Sequence, residues 1–323
     1  MARADLLIRL VESISKRDVQ LQRKVIEAII AEERTKQHTV LADKLFELLN
    51  NNEPKINTYK NFLSDNRGID LVFEKIPQRK LQDLILSNDN IEICEEFFQE
   101  HFRRDLLRSF NIEPRNKILL IGPPGNGKTS LAEAIAESLA IPLIIVRYDK
   151  LIGSYLGETA ARINKIIEYV SARNCVLFFD EFETLGKERG DLHETGEIKR
   201  VVSSLLLQID DLPSHVIVVG ATNHPELLDR AVWRRFQIRL NLELPTKANL
   251  RRWWSEFEKR MNFNSSSLED IFIQKFHKKS FSELEEFGNS GLRKYILNQP
   301  NCSIEEILEK LLNKWSKQKA DKL

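Results

Sequence analysis

The sequence predicts a mixed α/β protein in which a parallel sheet lies between helices. Short apolar runs rich in β-branched residues alternate with amphipathic helical runs between residues 117 and 242. A glycine-rich loop joins the first of these apolar runs to a helical pattern, and after Pro245 only helical patterns recur. Such an alternation is typical of βαβ units, whose parallel strands are buried on both faces.

Composition predicts a soluble chain of more than one unit. The 323 residues are 42% hydrophobic and 30% charged, with 49 Lys and Arg against 48 Asp and Glu. This near-neutral balance argues against nucleic acid as the main partner, because such domains usually carry a basic excess. The three cysteines form no C-x-x-C pair, which favours the reducing cytoplasm. No apolar run of about 18 residues occurs, so we expect no membrane span.

The elements divide into four predicted regions. Residues 1–52 show helical periodicity and predict a small N-terminal bundle that recruits a partner or substrate, and residues 53–68 are polar and predict a linker. Residues 69–244 hold the α/β pattern, and residues 245–323 predict a helical lid with a basic tail. The predicted strands are Lys117–Ile121, Leu143–Arg147, Val176–Phe179, Val216–Val219 and Ile238–Leu242.

The glycine-rich loop carries the clearest chemical signal. It fits the pattern G-x-x-x-x-G-K-[ST] in a strand–loop–helix setting, where backbone N–H groups and the helix N-terminus surround phosphates. Its lysine offers a positive charge to the β- and γ-phosphates, and its threonine hydroxyl is a ligand for Mg²⁺. The predicted cofactors are therefore ATP and Mg²⁺. The predicted binding residues are Gly122, Pro123, Pro124, Gly125, Asn126, Gly127, Lys128, Thr129 and Ser130.

Polar residues follow three later elements. Asp180 and Glu181 end an apolar strand, where Asp180 can hold Mg²⁺ and Glu181 can polarise the water that attacks the γ-phosphate. Asn223 also follows an apolar run, where its amide suits the γ-phosphate or that water, although asparagine there is often a simple turn residue. Arg234 and Arg235 are either surface charges or the cation that completes a neighbouring subunit's ATP site.

The order of these motifs resembles the AAA family of AAA+ ATPases over roughly residues 70–295. The resemblance implies a five-stranded parallel sheet, a helical lid, and a ring, usually a hexamer, with ATP bound between subunits. The segment Ser280–Leu284 departs from the Gly-Ala found in many relatives, so a sensor 2 arginine is not assured and Arg293 is its candidate. The matched positions are Lys128 and Thr129 for Walker A, Asp180 and Glu181 for Walker B, Asn223 for sensor 1, and Arg234 and Arg235 for the arginine finger.

Tyr155, Leu156 and Gly157 match the aromatic pore loop with which ring unfoldases grip a polypeptide. The alternative is a turn whose tyrosine packs on its own domain. The sequence thus predicts a cytoplasmic, Mg²⁺-dependent ATPase that remodels, unfolds or translocates proteins through a central pore, with a protease or effector as a separate partner. The alternatives are a nucleic-acid loader, which the neutral charge disfavours, and a nucleotide-gated scaffold, which the turnover residues Glu181 and Asn223 disfavour.

Overall fold

The fold is taken from a computed structural model of the protein. The structure describes residues 71–151, 156–185, 204–263, 265–299 and 302–315, all within the unit Asn61–Leu323. The predicted N-terminal bundle and linker lie outside the described residues, as does Tyr155.

One six-stranded, mostly parallel sheet forms the centre of the described structure, in the order β1-β3-β4-β5-β2-β6. All five predicted strands are present, and β5 extends three residues beyond its predicted end because Gly220, Ala221 and Thr222 still pair with β2. The additional strand β1 pairs antiparallel with β3 at the sheet edge. The strands are β1 Val72–Lys75, β2 Lys117–Ile121, β3 Leu143–Val146, β4 Cys175–Phe179, β5 Val216–Thr222 and β6 Ile238–Asn241.

Helices connect the strands and form the C-terminal part, and residues 204–210 are also helical. Side-chain caps set several helix starts: Ser87, Asp229 and Thr246 each accept a hydrogen bond from a first-turn N–H group. The other helices are α1 Asn88–Phe102, α2 Arg104–Ser109, α3 Lys128–Ser138, α4 Tyr148–Leu151, α5 Leu156–Ser171, α6 Arg230–Arg235, α7 Lys247–Met261, α8 Ser266–Phe276, α9 Phe281–Asn298 and α10 Ile304–Trp315.

Alternate residues of each strand face opposite sides of the sheet and enter different cores. On one side, Leu119 and Leu177 pack in a cluster that includes Ile166 of α5. On the other side, Phe178 packs in a cluster that includes Leu131 of α3 and residues of α1. The sheet is therefore covered on both faces, as the near-continuous apolar character of its strands predicts.

Helices α7–α10, which we call the lid, have a hydrophobic core of their own. It is built around aromatic rings: Trp254 and Phe272 have centroids 4.8 Å apart, and Phe276 and Phe287 have centroids 5.1 Å apart. Aromatic pairs at these separations add stabilisation beyond area burial. No described helix is both long and apolar enough to cross a membrane.

Candidate functional site

The carboxyl ends of three neighbouring parallel strands lie side by side, and a predicted site residue or loop follows each strand. The glycine-rich loop follows β2, Asp180 follows β4, and Asn223 follows β5, which lies between β4 and β2. The residues after the strands line one cavity of about 870 Å³. This end of the strands is where ligands of open α/β sheets bind. Its lining includes Pro124, Gly125, Asn126, Gly127, Lys128, Thr129, Ser130, Asp180, Glu181 and Asn223.

Two glycines in the loop are required by close approach. A Cβ atom at Gly122 would collide with the carbonyl oxygen of Leu242, just beyond β6. Gly125 has φ of 76°, and a Cβ there would collide with the hydroxyl oxygen of Ser282 on the lid. Because backbone cannot move aside cheaply, the loop tolerates only glycine at Gly122.

Lys128 lies folded back over the loop. Its Nζ donates hydrogen bonds to the carbonyl oxygens of Gly122 at 2.7 Å and Pro123 at 3.0 Å, and the residue is only 6% exposed. Burial lowers the pKa of Lys128, although the carboxylates that follow β4 oppose that shift. The ammonium group therefore lies in the cavity wall, where phosphate oxygens would be stronger acceptors than carbonyls.

Thr129 and Asp180 meet across the mouth of the loop. The Thr129 Oγ1 donates a hydrogen bond to Asp180 Oδ2 at 3.2 Å. Among the described residues no group of three or more His, Cys, Asp or Glu could hold a metal ion. Mg²⁺, however, is usually bound by one or two protein oxygens together with phosphates and water. The hydroxyl and carboxylate pair fits such an ion.

Glu181 has an unusual backbone conformation. Its φ is 48°, in the left-handed region that residues other than glycine rarely adopt. Its N–H group donates to Oδ1 of Asp180 at 3.1 Å, which holds the turn, and its side chain is exposed to the cavity. Such strain occurs often at functional sites.

Glu183 is a site residue that the sequence analysis did not identify. It is 3% exposed, and its Oε1 accepts a hydrogen bond from the backbone N–H of Asn223 at 3.2 Å. Within the described structure, Glu183 Oε2, Asn223 Oδ1 and the hydroxyl of Tyr148 are buried without a hydrogen-bond partner. Burial and the nearby acids Asp180, Glu183 and Glu181 raise the pKa of Tyr148 well above its ordinary value. The only sequence signal was a third acid in Asp180-Glu181-Phe182-Glu183.

The cavity has an apolar side that the sequence analysis also missed. Leu84, Ile85 and Leu86 line it from the segment before α1, and Trp253 and Phe257 line it from α7 of the lid. Cavities of this kind bind flat heterocycles through apolar and aromatic walls. Arg293 is not among the residues that line the cavity.

The lid contacts the loop directly. The N–H group of Ser282 donates to the carbonyl of Gly125 at 2.9 Å, and the N–H group of Phe281 donates to Oδ1 of Asn126 at 3.4 Å. These N–H groups are at the start of α9, where they have no partner within the helix. Asn126, a predicted nucleotide-binding residue, therefore also contacts the lid through its side chain.

Arg235, with Arg234 directly before it in the sequence, lies near the amino-terminal end of β2, away from the cavity. The Nε of Arg235 donates to Oδ2 of Asp210 at 2.6 Å, and the Nζ of Lys117 pairs with the other oxygen of Asp210 at 3.3 Å. Lys117 begins β2, whereas the loop follows its end, about 13 Å away at 3.3 Å per residue. Arg234 is exposed, and neither arginine lines the cavity.

Comparison with known proteins agrees with this geometry. The family model described as "ATPase family associated with various cellular activities (AAA)" matches residues 118–244. An uncharacterized AAA family ATPase, y4kL, from Sinorhizobium fredii is 35% identical over 310 residues, covering 93% of this chain and 91% of that protein. The chain belongs to the AAA family of ATPases. As a member of this family, the protein binds nucleotide and is an ATPase.

Two further AAA relatives match over a shorter range. The peroxisomal ATPase PEX6 of Komagataella phaffii is 37% identical over 192 residues, which are 56% of this chain and 16% of that protein. A Corynebacterium diphtheriae protein described as an AAA ATPase forming ring-shaped complexes is 34% identical over 195 residues, which are 55% of this chain and 38% of that protein. The chain thus spans well under half the length of these two proteins.

Proposed function

We propose that this AAA ATPase assembles into a ring, most simply a hexamer, and uses ATP hydrolysis to remodel polypeptides. The observation that carries the ring is the position of Arg234 and Arg235 at the sheet edge opposite to their own cavity. A cation there can reach a nucleotide only in the site of another copy. The ring-shaped complexes named for the Corynebacterium relative support this arrangement.

In this proposal each cavity residue has a separate role in ATP hydrolysis. Lys128 would bind the β- and γ-phosphates, and Thr129 and Asp180 would hold Mg²⁺, which supplies positive charge against the phosphates when bound. Glu181 would orient and polarise the attacking water, and Asn223 would position that water or the γ-phosphate. The unpartnered Oδ1 of Asn223 supports this role because it leaves an acceptor beside the cavity.

Of the two arginines, we assign the finger to Arg234. Arg235 is bound by Asp210 within its own chain, and this ion pair also holds Lys117. A guanidinium engaged in this way would have to give up its partner to reach a second copy. Arg234 is exposed at the end of α6 and needs no such exchange. Arg235 then positions α6 against the helical residues 204–210.

For the substrate, the loop Tyr155-Leu156-Gly157 supports a polypeptide. Leu156 and Gly157 are the first residues of α5, which comes after β3 and α4, and Tyr155 directly precedes them in the sequence. A tyrosine ring beside a glycine offers contact with an extended chain of any sequence. In this proposal residues 1–52 recruit the substrate, a protease or effector acts as a separate partner, and the protein works in the cytoplasm.

A trapped ring tests this proposal against its alternatives. Glu181→Gln should bind ATP, hydrolyse it at least about a hundredfold more slowly and keep the ring closed on its substrate. The proteins and nucleic acids that remain bound to this variant in ATP should be identified by mass spectrometry and by nuclease digestion, with Glu226→Gln as the matched control. Polypeptides enriched over the control support remodelling, whereas bound nucleic acid supports a loader.

The pore assignment has a separate test. Tyr155→Ala should keep ATPase activity but lose ATP-dependent processing of a trapped polypeptide, and Tyr155→Phe should restore it because the ring is retained. Unchanged processing by Tyr155→Ala would remove the pore role. A chain that binds ATP without turnover in the wild-type form would favour the nucleotide-gated scaffold.

A further inference from the structure

A cation from outside the recognised motifs lies in the nucleotide cavity. Arg79 belongs to the segment between β1 and α1, and it lines the cavity together with the glycine-rich loop. Its Nη1 donates a hydrogen bond to the hydroxyl oxygen of Ser130 at 3.0 Å. Ser130 lies in the first turn of α3, directly after Lys128 and Thr129. The guanidinium is therefore beside the helix N-terminus at which phosphates bind.

A buried acid on α3 fixes the backbone that carries Arg79. Glu133 is 8% exposed, accepts a hydrogen bond from Lys75 Nζ at 2.6 Å and accepts another from the N–H of Gln78 at 3.1 Å. Burial disfavours the ionised form of Glu133, but these donors outweigh it, and its pKa lies below the ordinary value. The position of Arg79 over α3 is thus set by a hydrogen-bonded clamp.

The same guanidinium also faces the lid. Nη1 of Arg79 lies 4.0 Å from Oε1 of Glu285 on α9, in an ion pair whose side chains are 39% and 58% exposed. Exposed pairs at this distance are weak, so Glu285 is easily replaced as a partner. A phosphate carries more charge than a carboxylate and accepts bidentate hydrogen bonds from arginine.

We propose that Arg79 is a phosphate-binding residue that exchanges Glu285 for a nucleotide phosphate and thereby couples the lid to nucleotide binding. The inference rests on the proposed role of the loop around Lys128 as the phosphate site. Without nucleotide, Arg79 bridges α3 and α9. With nucleotide bound, the guanidinium binds the phosphate instead of Glu285. The lid is then no longer held by this ion pair and can change its contact with the loop.

Binding of a fluorescent ADP analogue measures the role of Arg79 apart from turnover. Arg79→Ala should raise the Kd about tenfold, the loss expected for one exposed charge-assisted hydrogen bond. Arg79→Lys should recover part of the affinity because the charge is kept. The matched control is Arg251→Ala, which removes another arginine paired with a lid glutamate, Glu269, at 4.0 Å but does not line the cavity. The control should bind ADP as the wild type does.

Glu285→Gln separates phosphate binding from a merely structural link. If Arg79 exchanges partners, removing the competing carboxylate should tighten ADP binding, and Arg79→Ala should abolish that gain in the double variant. The inference is overturned if Arg79→Ala binds ADP like the control, or if Glu285→Gln weakens binding as much as Arg79→Ala does. Lys128→Ala tests the phosphate site separately from the role of Arg79. If this variant also binds ADP normally, the loop around Lys128 is not the phosphate site.

Discussion

The backbone N–H of Asn223 donates a hydrogen bond to Glu183 across 40 residues of sequence, at 3.2 Å. The contact links the end of β5 to the turn after β4. It therefore fixes the position of Asn223 relative to the acids Asp180 and Glu181. Glu183 makes this contact from a nearly fully buried site. We therefore expect it to act by positioning Asn223 rather than by contacting the nucleotide.

Replacing Glu183 tests this positioning role. Glu183→Ala should lower kcat about a hundredfold with little change in KM, because a displacement of about 1 Å at a catalytic group costs that much. Glu183→Gln keeps an acceptor oxygen and should retain most of the rate. ATPase kinetics on folded protein measure both, with Glu226→Ala as an exposed control in the next loop. A Glu183→Ala enzyme with wild-type kcat would contradict the role.

Lys128 should be essential for nucleotide binding. Lys128→Ala removes the ammonium group that now donates to the loop carbonyls and that would bind phosphates. We expect ADP and ATP binding to be lost in calorimetric titration. As the control, Lys80→Ala removes an exposed lysine that does not line the cavity, and it should bind both nucleotides normally. Retained ATP affinity in Lys128→Ala would refute the phosphate-loop assignment.

Arg234 and Arg235 should give different defects. Arg234→Ala should lower kcat about a thousandfold with ATP binding intact, as expected for loss of an arginine finger. Arg235→Ala should mainly lower stability, by about 0.5–1 kcal/mol, because its ion pair with Asp210 is partly exposed. Urea unfolding and ATPase assays separate the two effects.

Mixing variants tests whether the finger acts between copies. Arg234→Ala and Lys128→Ala should each be inactive alone, but mixed rings should recover activity wherever an intact site meets an intact finger. If mixing gives no recovery although the copies assemble, Arg234 does not act in a neighbouring site.

The cysteines should differ in reactivity towards an aromatic disulfide reagent. Burial raises the pKa of Cys94 and Cys175 to about 12, so almost no thiolate forms there at pH 8. Cys302 is partly exposed and should react in the folded protein. The expected result is one rapid equivalent, with two more released on unfolding. Three rapid equivalents from the folded protein would contradict the buried positions.

Local sequence patterns predicted much of the sheet and the order of its polar strand ends. The glycine-rich loop, Asp180 and Asn223 could be placed at one edge because parallel strands align their carboxyl ends. The edge strand β1 was missed because its four residues are only partly buried and lack a long apolar run. Glu183 was missed because an acid after a strand looks like a surface residue until its burial is known.

The sequence by itself determined which chemical groups the site contains, since the motif residues follow their strands within a few positions. The tertiary structure decided what surrounds them. Arg79, Trp253 and Ser282 line the same cavity as the loop, although they lie between about 50 and 150 residues from it in the sequence. Lys117, at the start of β2, and Arg235, at the end of α6, pair with Asp210 at the other end of that strand. Contacts between such distant residues depend on how the helices pack against the sheet, and no local periodicity encodes that packing.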